Sequence, residues 1–298
     1  MPNQPDSYAE YAAYSFISRH QNLSHDLPSG VLFNKFMTLL DNELKDIKGV
    51  DMHLPHCWYR WGDEVVRYNM PYVTWNHDFS SKTTVSYTGR IPKIKHRNDV
   101  VRFTDTFVDD FIERYSGVEG VELAIDEVYS RAPFRFQNDF RQLRENLKPS
   151  QRNPAIINHV EIVRNLYDAA MSVYPSDDFK HIEYQTIQFK TVFSKALENG
   201  VSIDRLQQIS ETFWFFFCYH LRLNPRCHFN VTKETLDIWE STLPDALDDY
   251  EEKMQNYAYY LYRGKSDDPV ASKLIDDRRN RLETIESLIR AMDCGDER

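Results

Sequence analysis

A chain of 298 residues with 41% hydrophobic and 28% charged side chains and a mean hydropathy of −0.61 reads as a globular domain protein and excludes a disordered or membrane-embedded class. The longest apolar run, 213–219, is seven residues, against the roughly 18 that a bilayer span needs. The net charge of −10 is uneven: residues 1–152 carry 19 Lys+Arg against 21 Asp+Glu, and residues 153–298 carry 17 against 25, which speaks against indiscriminate nucleic-acid binding.

Residues 1–20 lack the basic stretch and apolar core of a signal peptide, so a cytoplasmic location is expected, with no membrane partner. Four cysteines, Cys57, Cys218, Cys227 and Cys294, are too few and scattered for a disulfide framework and read as reduced, buried thiols.

Along the chain, residues 1–10 are polar and expected to be loose. Ser29 is placed to cap a helix whose apolar positions Leu32, Phe33, Phe36, Leu39, Leu40, Leu44 and Ile47 recur at three- and four-residue spacing, with Gly49 as its stop. From Met52 to Tyr87 the period changes. Short aromatic and β-branched runs at 58–66, 72–75 and 83–87 predict a β-hairpin or three-stranded insert. Helical periodicity returns with Val101, Thr104, Val108, Phe111, Ile112 and Tyr115, then at 118–130 and 136–148.

The polar segment 148–154 carries Pro149 and Pro154 and predicts a boundary between a domain at 1–148 and a second at 155–298. Helices are expected at 155–174, 178–198, 203–223, 233–242, 245–263 and 269–293. In the last, Ile275, Leu282, Ile285, Ile289 and Met292 form a stripe that suits packing within a bundle or pairing with a partner, a second copy included. The expected fold class is mostly α: an α+β first domain with a small β insert, and an all-α helical bundle.

Chemistry-bearing constellations are sparse. His53, His56 and Cys57, and Cys218, His220, Cys227 and His228, lack the paired spacing of a zinc site, so neither metal nor cofactor is expected. Motifs for nucleophilic or phosphate chemistry are missing, and Asp109, Asp110 and Glu113 fall off the apolar face of their helix, so no catalytic residues are assigned. A helical ribonuclease of the HEPN type would use an Arg and a His about six residues apart. Arg152 with His159 is the best placed of three such pairs, the others being Arg90 with His96 and Arg222 with His228. With 22 arginines in the chain, about two such matches arise by chance.

Binding features are stronger. Trp58, Tyr59, Arg60 and Trp61 have the composition enriched at interface hot spots, and it also suits a core. Strand alternation would send Trp58 and Arg60 to one face and Tyr59 and Trp61 to the other. Arg90, Lys93, Lys95, Arg97 and Arg102 make a local basic patch, and Arg141, Arg144 and Lys148 share a helix face. These cations suit a protein partner, offer a route to nucleic acid, or pair with the acidic stretch 237–252; a DNA-binding regulator built on residues 137–148 is a further alternative.

The helix Leu32-Phe33-Asn34-Lys35-Phe36-Met37-Thr38-Leu39-Leu40-Asp41, the motif Tyr59-Arg60-Trp61-Gly62 and the segment Ala132-Pro133-Phe134-Arg135-Phe136-Gln137 together resemble the Panacea, or SocA-like, antitoxin domain family over residues 31–147. Family members usually carry Pro after that glycine, where this chain has Asp63. The resemblance implies a noncatalytic protein of a toxin–antitoxin or phage-defence system that binds and neutralises a protein partner, a cognate toxin. Independently of the resemblance, the aromatic and basic enrichment places the expected partner contacts on Trp58, Tyr59, Arg60, Trp61, Arg90, Lys93, Lys95 and Arg97.

Overall fold

Ser29 does cap the second helix: its hydroxyl accepts from the Leu32 backbone N–H at 3.1 Å, satisfying one of the donors a helix start leaves open. In the computed structural model of the chain, the described residues are 8–66, 70–77, 83–92, 98–115, 117, 119–148 and 159–263. They form a mostly α protein with small antiparallel β elements. Its contacts divide it into a unit at 1–254 and a second at 255–298. The described part of the second is the end of the last helix.

The first unit opens with a helix that the composition hid, α1 (Tyr8–Ser24). Its buried positions Ala9, Ala12, Ala13, Phe16, Ile17 and His20 follow helical spacing, but small alanines carry most of it. Helix α2 (Gly30–Glu43) runs into a π-helical turn, Leu44–Lys48, closed by Gly49 at φ 62°. Helices α3 (Asn98–Tyr115), α4 (Gly120–Tyr129) and α5 (Arg135–Leu147) complete the first half. Phe16 stacks on Phe36 at 4.3 Å, with Phe111 edge-on at 5.4 Å from Phe36, so α1, α2 and α3 meet at an aromatic centre.

The aromatic stretch between α2 and α3 folds as two hairpins, β1 (His56–Tyr59) with β2 (Gly62–Val65), and β3 (Val73–His77) with β4 (Thr83–Tyr87). After the segment that lies outside the described residues come α6 (His159–Ser172), a 3-10 turn (Lys180–Ile182), α7 (Glu183–Glu198), α8 (Ile203–Leu221), a two-residue strand β5 (His228–Phe229), α9 (Lys233–Ser241) and α10 (Leu243–Arg263). The expected helix at 269–293 lies outside the described residues. Phe189 stacks on Phe213 at 4.2 Å and Phe140 on Trp214 at 5.5 Å, forming a second aromatic core from α5, α7 and α8.

The residues flanking 149–158 are stitched together. Strand β5 adds to β1 in a sheet of order β2-β1-β5, Trp58 donates its N–H to the Cys227 carbonyl at 2.7 Å, and Trp214 Nε1 donates to the Arg60 carbonyl at 3.2 Å. Arg144 grips Glu211 with two bonds of 3.0 and 2.8 Å. Among the described residues, no helix is long and apolar enough to cross a membrane.

Candidate functional site

The β1–β2 hairpin is set by a two-residue turn, Arg60-Trp61, followed by Gly62 at φ 94°. A side chain at 62 would be strained there, and its Cβ would come within 3.0 Å of the Tyr129 ring. This turn pairs Trp58 with Asp63 and Tyr59 with Gly62. Alternation then puts His56, Trp58 and Asp63 on one face, with His56 and Asp63 as diagonal neighbours.

Asp63 is 3% exposed and His56 2% exposed. The His56 Nδ1 lies 2.7 and 2.8 Å from the two Asp63 oxygens, so it donates to the carboxylate. The ring is covered on one side by Phe229, its β5 cross-strand partner, stacked at 4.7 Å. Its Nε2 is buried without a hydrogen-bond partner, 4.0 Å from Asp41 Oδ2.

Helix α2 supplies the floor, although its apolar stripe gave no sign that its polar residues are also enclosed. Lys35, fully buried, donates to the Asp63 carbonyl at 2.8 Å. Burial pulls its ammonium below its ordinary value against the nearby Glu64 and Asp63 charges. Asp41, equally buried, accepts from Lys45 Nζ at 2.6 Å and from the Met52 N–H at 3.0 Å. Burial also works against the Lys45 charge, but the bonds to Asp41 and Asp51 outweigh it and raise the group. Asp51 is held low, against its own burial, by the His53 N–H and by Lys45. His53 itself sits at φ 52°, with its ring in solvent.

Beside this network lies a pocket of about 410 Å³, lined by Leu39, Asn42, Lys45, Asp51, His56, Trp58, Asp63, Val128, Arg131, Pro133 and Phe229. Its two lining cations are both occupied. Lys45 binds Asp41 and Asp51, and Arg131 binds Glu43 at 2.9 Å and Asp46 at 3.0 Å.

The expected contact residues are dispersed by the fold. Trp58 is 3% exposed and packs edge-on against Tyr129, so it is core. Tyr59 faces α8, 6.0 Å from Tyr219, and burial pushes its hydroxyl up. Arg60 departs from alternation because it sits in the turn, and its guanidinium lies 3.7 Å from the Phe215 ring centre on α8. Trp61, at 45%, is the exposed member of the four. Arg90 and Arg102 are exposed, and Lys93, Lys95 and Arg97 lie outside the described residues.

The basic face of α5 is taken up internally. Arg141 pairs with Glu122 and Asp126, Arg144 with Glu211, and Lys148 with Glu122 and Glu145. These acids are not those of 237–252, and the pairing leaves the expected DNA-reading helix without free cations at those three positions. Arg152 and the side chain of His159 lie outside the described residues.

The three described thiols are buried, and burial raises each, Cys227 to about 12. Among the described residues, no group of three or more His, Cys, Asp or Glu is arranged to hold a metal ion. No family model, no curated protein and no solved structure matches the chain.

Proposed function

We propose that the chain is a noncatalytic binding protein that occupies a protein partner, and that the pocket beside His56 receives a basic side chain of that partner. The lining carries this reading: Leu39, Trp58, Val128, Pro133 and Phe229 offer an apolar wall, and the half-exposed Asp51 offers a carboxylate next to it, with the Asp63 charge behind. A lysine or arginine needs both, an apolar path for its stem and an acceptor for its head. The cluster is acidic, since Asp41, Glu43, Asp46, Asp51 and Asp63 meet Lys35, Lys45 and Arg131. A net charge of −10 steers a basic partner toward it.

The resemblance of residues 31–147 to Panacea or SocA-like antitoxin domains gives that partner a class, a cognate toxin met in the cytoplasm. Co-expression with the product of the adjacent gene, followed by capture, tests the reading. Phe229 and Asp51 stand at the exposed edge, and Phe229→Ala and Asp51→Asn are each expected to reduce capture at least tenfold. No capture by the wild type, or equal capture by both variants, overturns it.

The unpartnered His56 Nε2 favours a second reading, acid–base chemistry by the His56–Asp63 pair. It requires Phe229 to swing off the ring. Turnover of a substrate that disappears in His56→Ala while partner capture persists would select it over the first.

A further inference from the structure

The sheet that carries His56 ends on an open edge. Its order is β2-β1-β5, so β5 has β1 on one side and no strand on the other. Ladder parity fixes which of its backbone groups look outward. Trp58 donates its N–H to the Cys227 carbonyl, and the antiparallel register runs on through Cys57 with His228 and His56 with Phe229. Opposite residues alternate between hydrogen-bonded and non-hydrogen-bonded pairs, so 58/227 and 56/229 exchange bonds and 57/228 does not. The other side of β1 agrees. Val66 donates to the Pro55 carbonyl, which turns the backbone groups of Cys57 toward β2 and leaves those of His56 and Trp58 for β5. The N–H and C=O of His228 therefore point away from β1, and among the described residues neither makes a hydrogen bond.

This edge borders the His56 pocket. His56, Trp58, Asp63 and Phe229 share one face of the sheet and all line the pocket, with Phe229 the outermost. One side of its ring stacks on His56, and the residue is 42% exposed. A strand laid along β5 would set one side chain opposite Phe229 on that face, in a close non-hydrogen-bonded pair with Cβ atoms about 4.5–5.5 Å apart. A long cationic side chain there lays its stem along the ring and turns its head toward the half-exposed Asp51 carboxylate in the same cavity.

Antiparallel addition suits the edge, because one partner residue then takes both the N–H and the C=O of His228, whereas parallel pairing divides them between two. Pro225 and Asn230, at φ 54°, bound β5, so the added strand is short.

We propose that an extended segment of the protein partner adds to β5 as a fourth, antiparallel strand, with a lysine or arginine opposite Phe229 filling the pocket. This rests on the pocket's being a receptor for a basic side chain and gives that side chain its backbone setting. A second copy of the chain is a poorer occupant. Two β5 strands paired about His228 would set the copy's Cys227 opposite Phe229, an uncharged thiol where the carboxylate calls for a cation.

Backbone methylation tests this on the full chain. Acetyl-Thr-Arg-Val-amide is titrated beside two analogues, one N-methylated at Val and one at Arg. With Arg opposite Phe229, the Val N–H donates to the His228 carbonyl and the Arg N–H points away. The parent peptide is expected to move the His228 amide NMR signal saturably and to slow its hydrogen exchange at least about tenfold. Methylation at Val is expected to weaken binding at least about tenfold, and methylation at Arg less than about threefold. An unmoved His228 signal, no weakening by Val methylation, or equal weakening by both overturns strand addition. N-acetylarginine amide has no strand to add and reads the pocket alone. Shifts of the His56 ring with it uphold the pocket when strand addition fails, and no shift with any of the compounds overturns both. Exchange at His228 that slows with protein concentration, peptide absent, gives the edge to a second copy and overturns the proposal.

Discussion

The two faces of the β1–β2 hairpin solve opposite electrostatic problems with neighbouring residues. On one, His56 and Asp63 are buried as a pair beside Asp41 and Lys45, and most polar atoms find a partner. On the other, Tyr59 stands among the guanidiniums of Arg60 and Arg222, which rest on aromatic rings as a ladder, with the Thr242 hydroxyl as an added acceptor for Arg222. The two faces therefore tolerate different losses. A buried, paired network collapses when one member leaves, whereas a cation resting on a ring leaves nothing uncompensated behind.

The largest expected effect follows from that asymmetry. Asp63→Ala strips His56 Nδ1 of its acceptor inside the core and is expected to cost about 3–5 kcal/mol, read from the shift in urea midpoint. A loss below about 1 kcal/mol would mean the pair is not the anchor of that face.

Next comes a pH effect at the far end of α8. His220 accepts or donates at 3.1 Å to His181, and burial, then the nearby His181 and Arg222, lower it to about 4. The unfolded chain takes up this proton below about 6.5, while the folded one refuses it until about 4. Stability therefore falls as pH drops through that window, by about 3 kcal/mol from this residue. His181, also lowered by burial, acts in the same direction. Denaturation midpoints measured at intervals from pH 7 to pH 4 are expected to fall less steeply in His220→Gln; an unchanged slope would remove the residue from the account.

Smaller still, Arg60→Met removes one cation from the ladder and is expected to cost about 1 kcal/mol. A cost matching that of Asp63→Ala would erase the contrast between the faces. Trp61→Ala, at an exposed turn position, is expected to stay within about 0.5 kcal/mol of the wild type in the same measurement. A larger loss would place Trp61 in the core with Trp58.

Much of this was legible locally. Ser29, Gly49 and the apolar spacing of residues 32–44 define α2, and the prolines and glycines between 175 and 244 mark helix ends close to where the chain turns. Periodicity reports the apolar face of a helix. It does not say that Asn34, Lys35, Thr38 and Asp41 are enclosed as well, because that depends on what packs over the polar side. Helix α1 was hidden by its alanines.

The His56–Asp63 pair left a readable signal. A two-residue turn before Gly62 fixes the register, and register makes residues 56 and 63 diagonal neighbours on one face. The β5 pairing and the Arg60–Tyr59–Arg222 ladder join residues more than 150 positions apart, and no local pattern encodes such distances. Asp63 is the residue on which the candidate site is built.

The most direct test is whether the pocket accepts a cationic side chain. Titration with N-acetylarginine amide, with N-acetylglutamate amide as control, is read from the NMR signals of the His56, Trp58 and Phe229 rings. Saturable shifts are expected at all three with the arginine compound, weakened at least fivefold in Asp51→Asn. No shift, or an equal response to the glutamate compound, would contradict it.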